Sequence, residues 1–405
     1  MSTTLIIGAG GVGHVTAHQC ARHNDELGDI VLASRTVSKC ERILADIRAR
    51  GHLADPHRKL AARAIDARDR AAVARLIRET AAGIVINVGS VHCNLAIMEA
   101  CLETGARYLD TGLYEKEGEI NMPPPWYANY EWRYRERFAA RGLTGILGIG
   151  FDPGVVNVFC AYAARHLLDE IDSIDIMDVN AGDHGRYFAT NFDPETNLRE
   201  IAEDVIYWED GEWRRIPPHS RSRVYDFPVV GPQRVYSMGH DEIHSLAVNL
   251  PAQRIEFWMG FGERYLRVFE VLNRLGLLSH EPVTVDGVEV IPLRLVKALL
   301  PDPASLAEGY TGAVCIGCLL RGSHRGRSRA VFVYSSLAHE DCYREVGAQA
   351  IAYSTGVPVT TAALLLARGD WDVGRLVNVE ELDPDPFLSL MPELGVGWTW
   401  REDEP

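Results

Sequence analysis

The feature that most constrains this chain is a glycine-rich turn that begins at residue 8. It has the pattern G-x-G-x-x-G and consists of Gly8, Ala9, Gly10, Gly11, Val12 and Gly13. The apolar residues 5–7 precede it, and residues 12–22 have helical spacing. Between a strand and a helix, such glycines allow a tight turn and let backbone N–H groups approach a pyrophosphate. The turn therefore predicts a dinucleotide site at the start of a Rossmann domain.

Strand-like and helical segments alternate through the first 110 residues. The strand-like segments are residues 29–34, 60–66, 83–89 and 108–111, and the helical ones are 37–50, 70–80 and 95–104. This alternation is typical of a doubly wound parallel sheet. Three prolines at 123–125 interrupt it, a charged amphipathic helix is predicted at 127–141, and Gly-Phe-Asp-Pro-Gly at 150–154 marks a boundary. We therefore predict a Rossmann domain at residues 1–150.

The rest of the chain has a different pattern, and 405 residues exceed what one core usually holds. Strand-like runs at 174–179, 254–259, 313–320 and 330–334 are separated by polar stretches and a helix at 264–275. We predict an α+β domain at 151–340 that binds substrate and mediates dimerisation. Residues 344–368 look helical apart from Gly356-Val357-Pro358, so residues 341–405 are predicted to return toward the first domain.

The second predicted strand ends in Ser34-Arg35-Thr36 rather than in an acidic residue. An acid at this point binds the ribose of NAD and repels the 2′-phosphate of NADP. Arg35 attracts that phosphate, and the flanking hydroxyls can donate hydrogen bonds. The sequence thus favours NADPH. Further candidates for cofactor contact follow later strands: Asp66, which could equally be a turn residue, and Asn87, Val88 and Gly89.

Candidate catalytic residues follow the later strands, at the carboxyl edge where open α/β sheets bind ligands. Asp110 could act as a general acid or base if burial raises its pKa, or it could cap a helix or turn. His92 is a second candidate, although it could simply begin a helix. Tyr114 is predicted to contact substrate.

A second polar group lies at the start of the second domain. Asn180, Asp183 and His184 occupy a loop with flanking glycines, which predicts either a pocket lining, with Asp183 as a catalytic candidate, or a polar turn. Asn191 and Arg199 follow. Arg199 could bind a substrate carboxylate through two hydrogen bonds, or it could lie exposed on a helix.

Composition excludes several classes of function. A net charge of −15 disfavours nucleic acid, whose phosphates require clustered Lys and Arg. No apolar stretch approaches the roughly 20 residues of a membrane span, and the N-terminal apolar run is too short for a signal peptide, so we expect a cytoplasmic protein. Cys315 and Cys318 lack a second ligand pair for zinc and would face opposite sides of a strand. We therefore predict buried cysteines and no metal site.

Several motifs together resemble the saccharopine dehydrogenase-like family. They are the glycine-rich turn, Ser34-Arg35-Thr36, Tyr108-Leu109-Asp110-Thr111, Gly150-Phe151-Asp152-Pro153-Gly154, Asn180-Ala181-Gly182-Asp183-His184-Gly185 and Cys315-Ile316-Gly317-Cys318. The resemblance spans nearly the whole chain. It implies that NADPH reduces an imine formed between aspartate β-semialdehyde and putrescine or 1,3-diaminopropane, in a homodimer.

The implied substrates carry charges that the protein must bind. A carboxylate needs a cation such as Arg199, and ammonium groups need acids such as Asp110, Asp152 or Asp183, with Trp258 as an aromatic face. Asn157 is predicted to contact substrate as well. We also predict that Asp152, Pro153 and Gly154 contact the cofactor.

Two other functions remain open at this point. A saccharopine reductase would join glutamate to an aminoadipate aldehyde, and its pocket should hold more Arg because the substrate has a second amino-acid head. A non-catalytic NADP-binding protein would keep the glycine-rich turn but lose the polar groups of the second domain, which this chain retains.

Overall fold

The computed structural model describes residues 3–116 and 122–404. The strands in this part of the chain are β1 (Thr3–Ile7), β2 (Asp29–Ser34), β3 (Leu60–Ala64), β4 (Ala82–Asn87), β5 (Arg107–Asp110), β6 (Gly145–Leu147), β7 (Glu170–Asn180), β8 (Val205–Glu209), β9 (Glu212–Ile216), β10 (Ser222–Phe227), β11 (Gly231–Met238), β12 (Ala252–Gly260), β13 (Val283–Val285), β14 (Val288–Val290), β15 (Ala313–His324), β16 (Arg327–Ala338), β17 (Leu376–Asn378) and β18 (Thr399–Asp403).

The helices in the same residues are α1 (Gly11–Arg22), α2 (Asn24–Leu27), α3 (Val37–Arg50), α4 (Arg70–Thr80), α5 (Asn94–Thr104), α6 (Arg135–Arg141), α7 (Val155–His166), α8 (Pro194–Ala202), α9 (Ile243–Asn249), α10 (Glu263–Arg274), α11 (Pro292–Leu299), α12 (His339–Val346), α13 (Ala350–Arg368) and α14 (Pro384–Leu390).

The first sheet has seven parallel strands in the order β17-β6-β5-β4-β1-β2-β3. Its inner strands are apolar and buried, as expected for a sheet that carries helices on both faces. In register across the sheet, Ile7 pairs with Asn87, and Asn87 pairs with Asp110. The predicted doubly wound sheet is confirmed, and the carboxyl ends of β1, β4 and β5 lie side by side.

The second sheet is mixed and has nine strands. Its main order is β10-β11-β12-β7-β15-β16-β18, with β8 and β9 attached beside β12. One face, with Ile176 and Ile316, packs into the large core that includes α7 and α13. The other face carries a separate cluster with Met177, Trp258 and Phe332. The predicted α+β architecture of this part of the chain is therefore confirmed.

The C-terminal segment contributes to both sheets. β17 pairs with β6 at the edge of the first sheet, whereas β18 pairs with β16 in the second. α13 of the same segment packs closely on α1, because a Cβ added at Gly11 of α1 would lie only 3.2 Å from the Cβ of Ala352 of α13. The chain after residue 340 thus connects the two domains.

From the sequence we expected no apolar stretch of membrane-span length, but α13 is apolar and long enough, by length and composition alone, to cross a membrane. Most of it is buried inside the protein, where it packs against α1 and the second sheet. A buried helix of this kind is typical of a protein core, because it is apolar on every side.

Two predicted helices differ from the observed ones. Residues 127–141 form two short 3₁₀ turns before α6 begins at Arg135, because the Glu131 side chain turns inward and accepts a hydrogen bond from the N–H of Tyr114. The predicted helix at 344–368 is instead α12 and α13, with a break after Val346. α13 continues through Gly356 and Pro358. A Cβ added at Gly356 would lie 2.6 Å from the Cβ of Val15, so the glycine lets α13 pack closely on α1.

The two strand cysteines behave as predicted. Cys315 and Cys318 are free and buried, and they belong to the apolar clusters on opposite faces of the second sheet. Cys318 also donates a hydrogen bond to the carbonyl of Val156. These contacts indicate a packing role.

Candidate active site

A cavity of about 250 Å³ lies at the carboxyl ends of β1, β2, β3 and β4. Most of the residues predicted to bind the cofactor line it: Gly8, Gly10, Ser34, Arg35, Thr36, Asp66, Asn87 and Gly89. Gly11, Val12 and Gly13 form the first turn of α1 beside the cavity, and Val88 lies behind Gly8.

The glycine-rich turn has space on its cavity side and none behind it. A Cβ at Gly8 would meet the Gly89 nitrogen at 2.6 Å, and one at Gly13 would meet the Gly8 carbonyl oxygen at 2.1 Å. A Cβ at Gly10 would meet no atom within 4 Å. The strand and helix therefore touch closely, while the backbone at the N-terminus of α1 is open to a pyrophosphate, as a dinucleotide requires.

Positive charge collects at the end of the cavity beside β2. Arg35, Lys39 and Arg68 line this end, and Arg35 is exposed. Asp66 accepts a hydrogen bond from the Arg68 N–H at 3.1 Å, so it is a turn residue that also lines the cavity. Lys39 pairs with Asp302 at 3.6 Å, which brings a loop of the second domain against this end. A guanidinium here fits the 2′-phosphate of NADP.

Asp110 lies at the end of β5, in register with Asn87 of the cavity wall. Its side chain is buried, and its oxygens accept hydrogen bonds from the Gly148 N–H at 2.6 Å and the Tyr108 hydroxyl at 2.9 Å. Burial raises the pKa of the Asp110 carboxyl to about 7, although these donors oppose the shift. Both oxygens accept hydrogen bonds from the protein, so Asp110 holds the turn after β5, and its catalytic role stays a prediction.

Asp241 reaches the same turn from the second domain. Its Oδ2 accepts a hydrogen bond from the Leu113 N–H at 3.1 Å, and the residue keeps some solvent exposure. Burial raises the pKa of the Asp241 carboxyl to about 6, although the nearby His240 imidazole opposes the shift. A partly accessible carboxyl that titrates near neutral pH is suited to proton transfer.

Asp241 belongs to a larger set of acidic side chains where the two domains meet, which we call the acidic cluster. Its members interact electrostatically with one another and come from segments far apart in sequence: Asp110, Glu115, Glu131, Asp152, Asp178, Glu200, Asp241 and Glu242. Arg199 and His240 supply positive charge within it. Among the described residues of this cluster, carboxyl groups outnumber basic groups, and burial raises the pKa of most of these carboxyls, so a bound cation would favour their ionised forms.

His240 lies in the second-domain half of the cluster. Its ring stacks on Phe257, with centroids 4.1 Å apart, and its Nδ1 lies within hydrogen-bond distance of Glu242. Burial opposes protonation, but Glu242 and Glu200 outweigh it and raise the pKa of His240 well above its ordinary value. His240 therefore carries a positive charge at neutral pH and offsets part of the surrounding negative charge.

Asp152 and Asp178 form a carboxyl pair beside His240. Burial and, for Asp152, repulsion from Asp178 raise the pKa of both groups. Asp152 was predicted to contact the cofactor. The structure instead places it in the acidic cluster, and Pro153 and Gly154, which close the turn before α7, also lie outside the described cavity wall.

Three predicted residues lie at the edge of the cluster. His92 Nδ1 is 2.6 Å from the carbonyl oxygen of Glu115, and the Tyr114 N–H donates to Glu131. Arg199 pairs with the carboxylates of Glu115 and of Glu203, the residue that follows α8. Its guanidinium thus contacts protein carboxylates, and its binding of a substrate carboxylate stays a prediction.

The predicted polar residues of the second domain converge around Tyr310. Asn180 Nδ2 donates to the Tyr310 hydroxyl at 2.7 Å, and that hydroxyl donates to Asn191 Oδ1 at 2.9 Å. His339 Nε2 is 3.0 Å from Asn180 Oδ1, and the His184 ring meets Tyr310 edge-on. The sequence predicted the Asn and His184 positions but not Tyr310 or His339.

Two predicted site residues have structural roles instead. Asp183 is exposed, and its Oδ1 accepts a hydrogen bond from the Gly185 N–H at 2.8 Å, as expected of a turn residue. Asn157 is buried, accepts from the Gly154 N–H and donates to Glu380, so it fixes the start of α7. These contacts give both residues a structural role, while the catalytic role of Asp183 and the substrate contact of Asn157 stay predictions.

Trp258 also lies outside the site. In β12 it is in register with Met177, whereas Asp178 of the acidic cluster is in register with Met259. Since side chains alternate along a strand, Trp258 faces the opposite side of the sheet from Asp178, where its Nε1 donates to Asp175 at 3.0 Å. The structure thus places Trp258 away from the acidic cluster, and its predicted contact with substrate stays a prediction.

The sequence did not predict several members of the acidic cluster: Glu131, Asp178, Glu200, Asp241 and Glu242, together with His240. A signal was present at residues 239–242, where Gly-His-Asp-Glu directly follows a strand. Asp178 also indicated a polar site, because it interrupts an apolar strand on the face that packs into the core.

Family models match both domains. Residues 4–146 match the saccharopine dehydrogenase NADP binding domain, and residues 150–396 match the saccharopine dehydrogenase C-terminal domain. Among solved structures, apo saccharopine dehydrogenase (L-Glu forming) from Saccharomyces cerevisiae aligns over 100% of both chains with a TM-score of 0.71 and 13% identity. That likeness shows a shared fold.

Curated relatives are similar over almost their whole length. The carboxynorspermidine synthases of Vibrio alginolyticus and Vibrio cholerae are 53% and 52% identical to this chain, over 99% of it and 97% of each relative. The carboxyaminopropylagmatine dehydrogenase of Synechocystis sp. is 43% identical, over 98% of this chain and 97% of its own. The chain is an oxidoreductase that uses NADP(H), and it belongs to the saccharopine dehydrogenase family.

Proposed function

We propose that the chain joins L-aspartate 4-semialdehyde to a diamine by NADPH-dependent reductive condensation, in polyamine biosynthesis. The diamine is putrescine or 1,3-diaminopropane, and the product is carboxyspermidine or carboxynorspermidine. The observation that carries the proposal is the acidic cluster beside the cofactor cavity, because a diamine needs anionic partners. The names of the relatives, carboxynorspermidine synthase and carboxyaminopropylagmatine dehydrogenase, support the same class of product.

The reaction places definite demands on the protein. The neutral amine attacks the aldehyde carbon, the resulting carbinolamine loses water, and the protonated imine accepts a hydride to become a secondary amine. NADPH supplies that hydride when it is bound. Asp241 is placed to take the proton of the attacking ammonium and to return one to the departing hydroxyl, while the carboxylates around it stabilise the cationic imine.

The acidic cluster also weighs against the rival functions. A saccharopine reductase must bind glutamate, whose two carboxylates need cations, yet Arg199 is already paired and carboxyl groups dominate the site. A non-catalytic NADP-binding protein would have no need for buried acids next to the cofactor cavity. Both rivals are therefore less well supported than reduction of a diamine-derived imine.

The proposed reaction predicts that NADPH oxidation requires the aldehyde and the diamine together. The measurement is the initial rate of loss of NADPH absorbance with each substrate alone, with both, and with glutamate plus aminoadipate semialdehyde. We expect only background rates with either substrate alone, because the amine must first form the imine. Oxidation by aldehyde alone at the same rate would indicate a simple aldehyde reductase, and turnover with glutamate would favour the saccharopine reductase.

Arg35→Asp is expected to raise the KM for NADPH by roughly 10–100-fold and to change the KM for NADH little. A charge-assisted hydrogen bond is worth about 1.5–3 kcal/mol, and the new carboxylate adds repulsion to the 2′-phosphate. Arg75→Asp, on an exposed position of α4, is the matched control for the same change in charge. Equal losses with both cofactors would remove the assignment of Arg35 to the 2′-phosphate.

A cytoplasmic homodimer is also part of the proposal. Sedimentation velocity of the purified chain would measure its mass in solution against the 45.0 kDa of one copy. A species of a single copy at micromolar concentration would contradict it.

A further inference from the structure

Several carboxyl oxygens of the acidic cluster are buried without a hydrogen-bond partner. Among the described residues, this holds for Oε1 of Glu242, Oε2 of Glu200, Oδ1 of Asp178 and Oε2 of Glu131. The side chains of Glu242 and Glu131 are fully buried. A buried carboxyl oxygen without a donor is destabilising, so these atoms indicate a ligand that brings N–H or O–H donors.

Three of these acids surround His240 from different elements. Asp178 lies on β7, Glu200 on α8 and Glu242 in the turn between β11 and α9, and the charge of each interacts with the His240 imidazole. His240 supplies one positive charge, and the guanidinium of Arg199 is paired with Glu115. Burial raises the pKa of Glu200 to about 8 and that of Asp178 to about 7, so a cation bound beside them would favour their ionised forms.

The spacing of the acidic cluster does not suit a metal ion. Within residues 3–116 and 122–404, the group that brings three possible ligand atoms within 4.8 Å of one another is His14, His18 and Asp46, which lies elsewhere. Asp241 instead contacts the turn after β5 of the first sheet, whereas Asp178, Glu200 and Glu242 interact with His240.

We propose that Asp178, Glu200 and Glu242 form the subsite for the second, non-reacting ammonium group of a primary diamine, an inference that rests on the proposed function. An ammonium group presents three N–H donors and a full positive charge, which unpartnered carboxylate oxygens accept. The reacting amine then lies toward Asp241. A monoamine of the same length leaves these oxygens unpaired, so the subsite selects diamines.

Glu200→Gln and Asp178→Asn test the subsite, because each keeps the shape of the side chain and removes its charge. The measurement is kcat/KM for 1,3-diaminopropane against propylamine, and for putrescine against butylamine, at saturating NADPH and aldehyde. We expect each variant to lose about 10–100-fold with the diamine and to change little with the monoamine, so that the preference for diamine collapses. Glu195→Gln is the matched control, since it removes a charge from the same helix at a surface pair with Lys297.

Equal losses with diamine and monoamine, or no loss with either, would overturn the subsite.

A measurement of amine binding distinguishes failure of the subsite from failure of the proposed function. If the wild type fails to turn over any amine, the proposed function is wrong. The subsite is then tested by the shift in melting temperature with putrescine against butylamine, in the presence of NADP⁺. A putrescine-specific shift that both variants lose supports it, and equal shifts refute it. If one variant does not fold, Glu242→Gln replaces it.

Discussion

Gly13→Ala is expected to destabilise the protein and to abolish measurable NADPH binding. Glycine in a helix interior is normally less stable than alanine by about 0.5–1 kcal/mol, so the usual sign of this substitution is stabilising. Here the added Cβ would lie 2.1 Å from the carbonyl oxygen of Gly8, which is backbone and cannot move aside as a side chain can. Forced overpacking of this kind costs about 1–3 kcal/mol, and sometimes more. The start of α1 must therefore shift away from β1, and the N–H groups that face the pyrophosphate move with it.

Gly10→Ala separates cofactor binding from stability. Its φ of −87° is accessible to alanine, and an added Cβ would meet no atom within 4 Å. We therefore expect a melting temperature close to that of the wild type, together with weaker NADPH binding because the Cβ enters the space of the pyrophosphate. Melting curves and titration calorimetry on the two variants measure both quantities. A stable Gly13→Ala variant that binds NADPH normally would show that the turn has another role.

The fold of the first domain could be predicted from sequence because its signals are local. The glycine-rich turn, the apolar strands and the helical spacing each lie within about twenty residues, and a parallel sheet follows from their alternation. The prediction of one helix over residues 127–141 was wrong because amphipathic spacing cannot show that the Glu131 side chain turns inward toward the N–H of Tyr114. That contact spans two segments of the chain and depends on the completed fold.

The acidic cluster shows why a site of this kind is harder to predict. Asp110 was identified because it ends a strand at the ligand-binding edge. Asp241 and Glu200 lie more than 80 residues further along the chain, and only the packing of the second domain brings them to the same place. The position of Trp258 was hard to predict for a different reason: a shift of one residue in the phase of a strand moves a side chain to the opposite face.

Asp241→Asn is expected to lower turnover by about 10²–10⁴-fold, the range that general acid–base groups contribute. Asparagine keeps the size of the side chain and the oxygen that accepts from the Leu113 N–H, but it cannot exchange a proton near neutral pH. The sign of the pH dependence follows from the pKa of about 6 of this carboxyl: its base form is present above that value, so wild-type kcat/KM should fall as pH drops through 6. In the Asp241→Asn variant, kcat/KM should no longer fall as pH drops through 6.

Asp110→Asn is the comparison that identifies the proton carrier. Because Asp110 is buried and both of its oxygens accept hydrogen bonds, an amide there places an N–H against a protein donor and leaves that donor unpaired. We expect a fall in the free energy of unfolding of about 1–3 kcal/mol and a smaller loss of turnover, with the acidic limb near pH 6 retained. If instead Asp110→Asn removes that limb while Asp241→Asn keeps it, the proton carrier is Asp110, as its position at the end of β5 first suggested. If both variants raise only the KM for the diamine at unchanged turnover, the two carboxyls hold an ammonium group and neither transfers a proton.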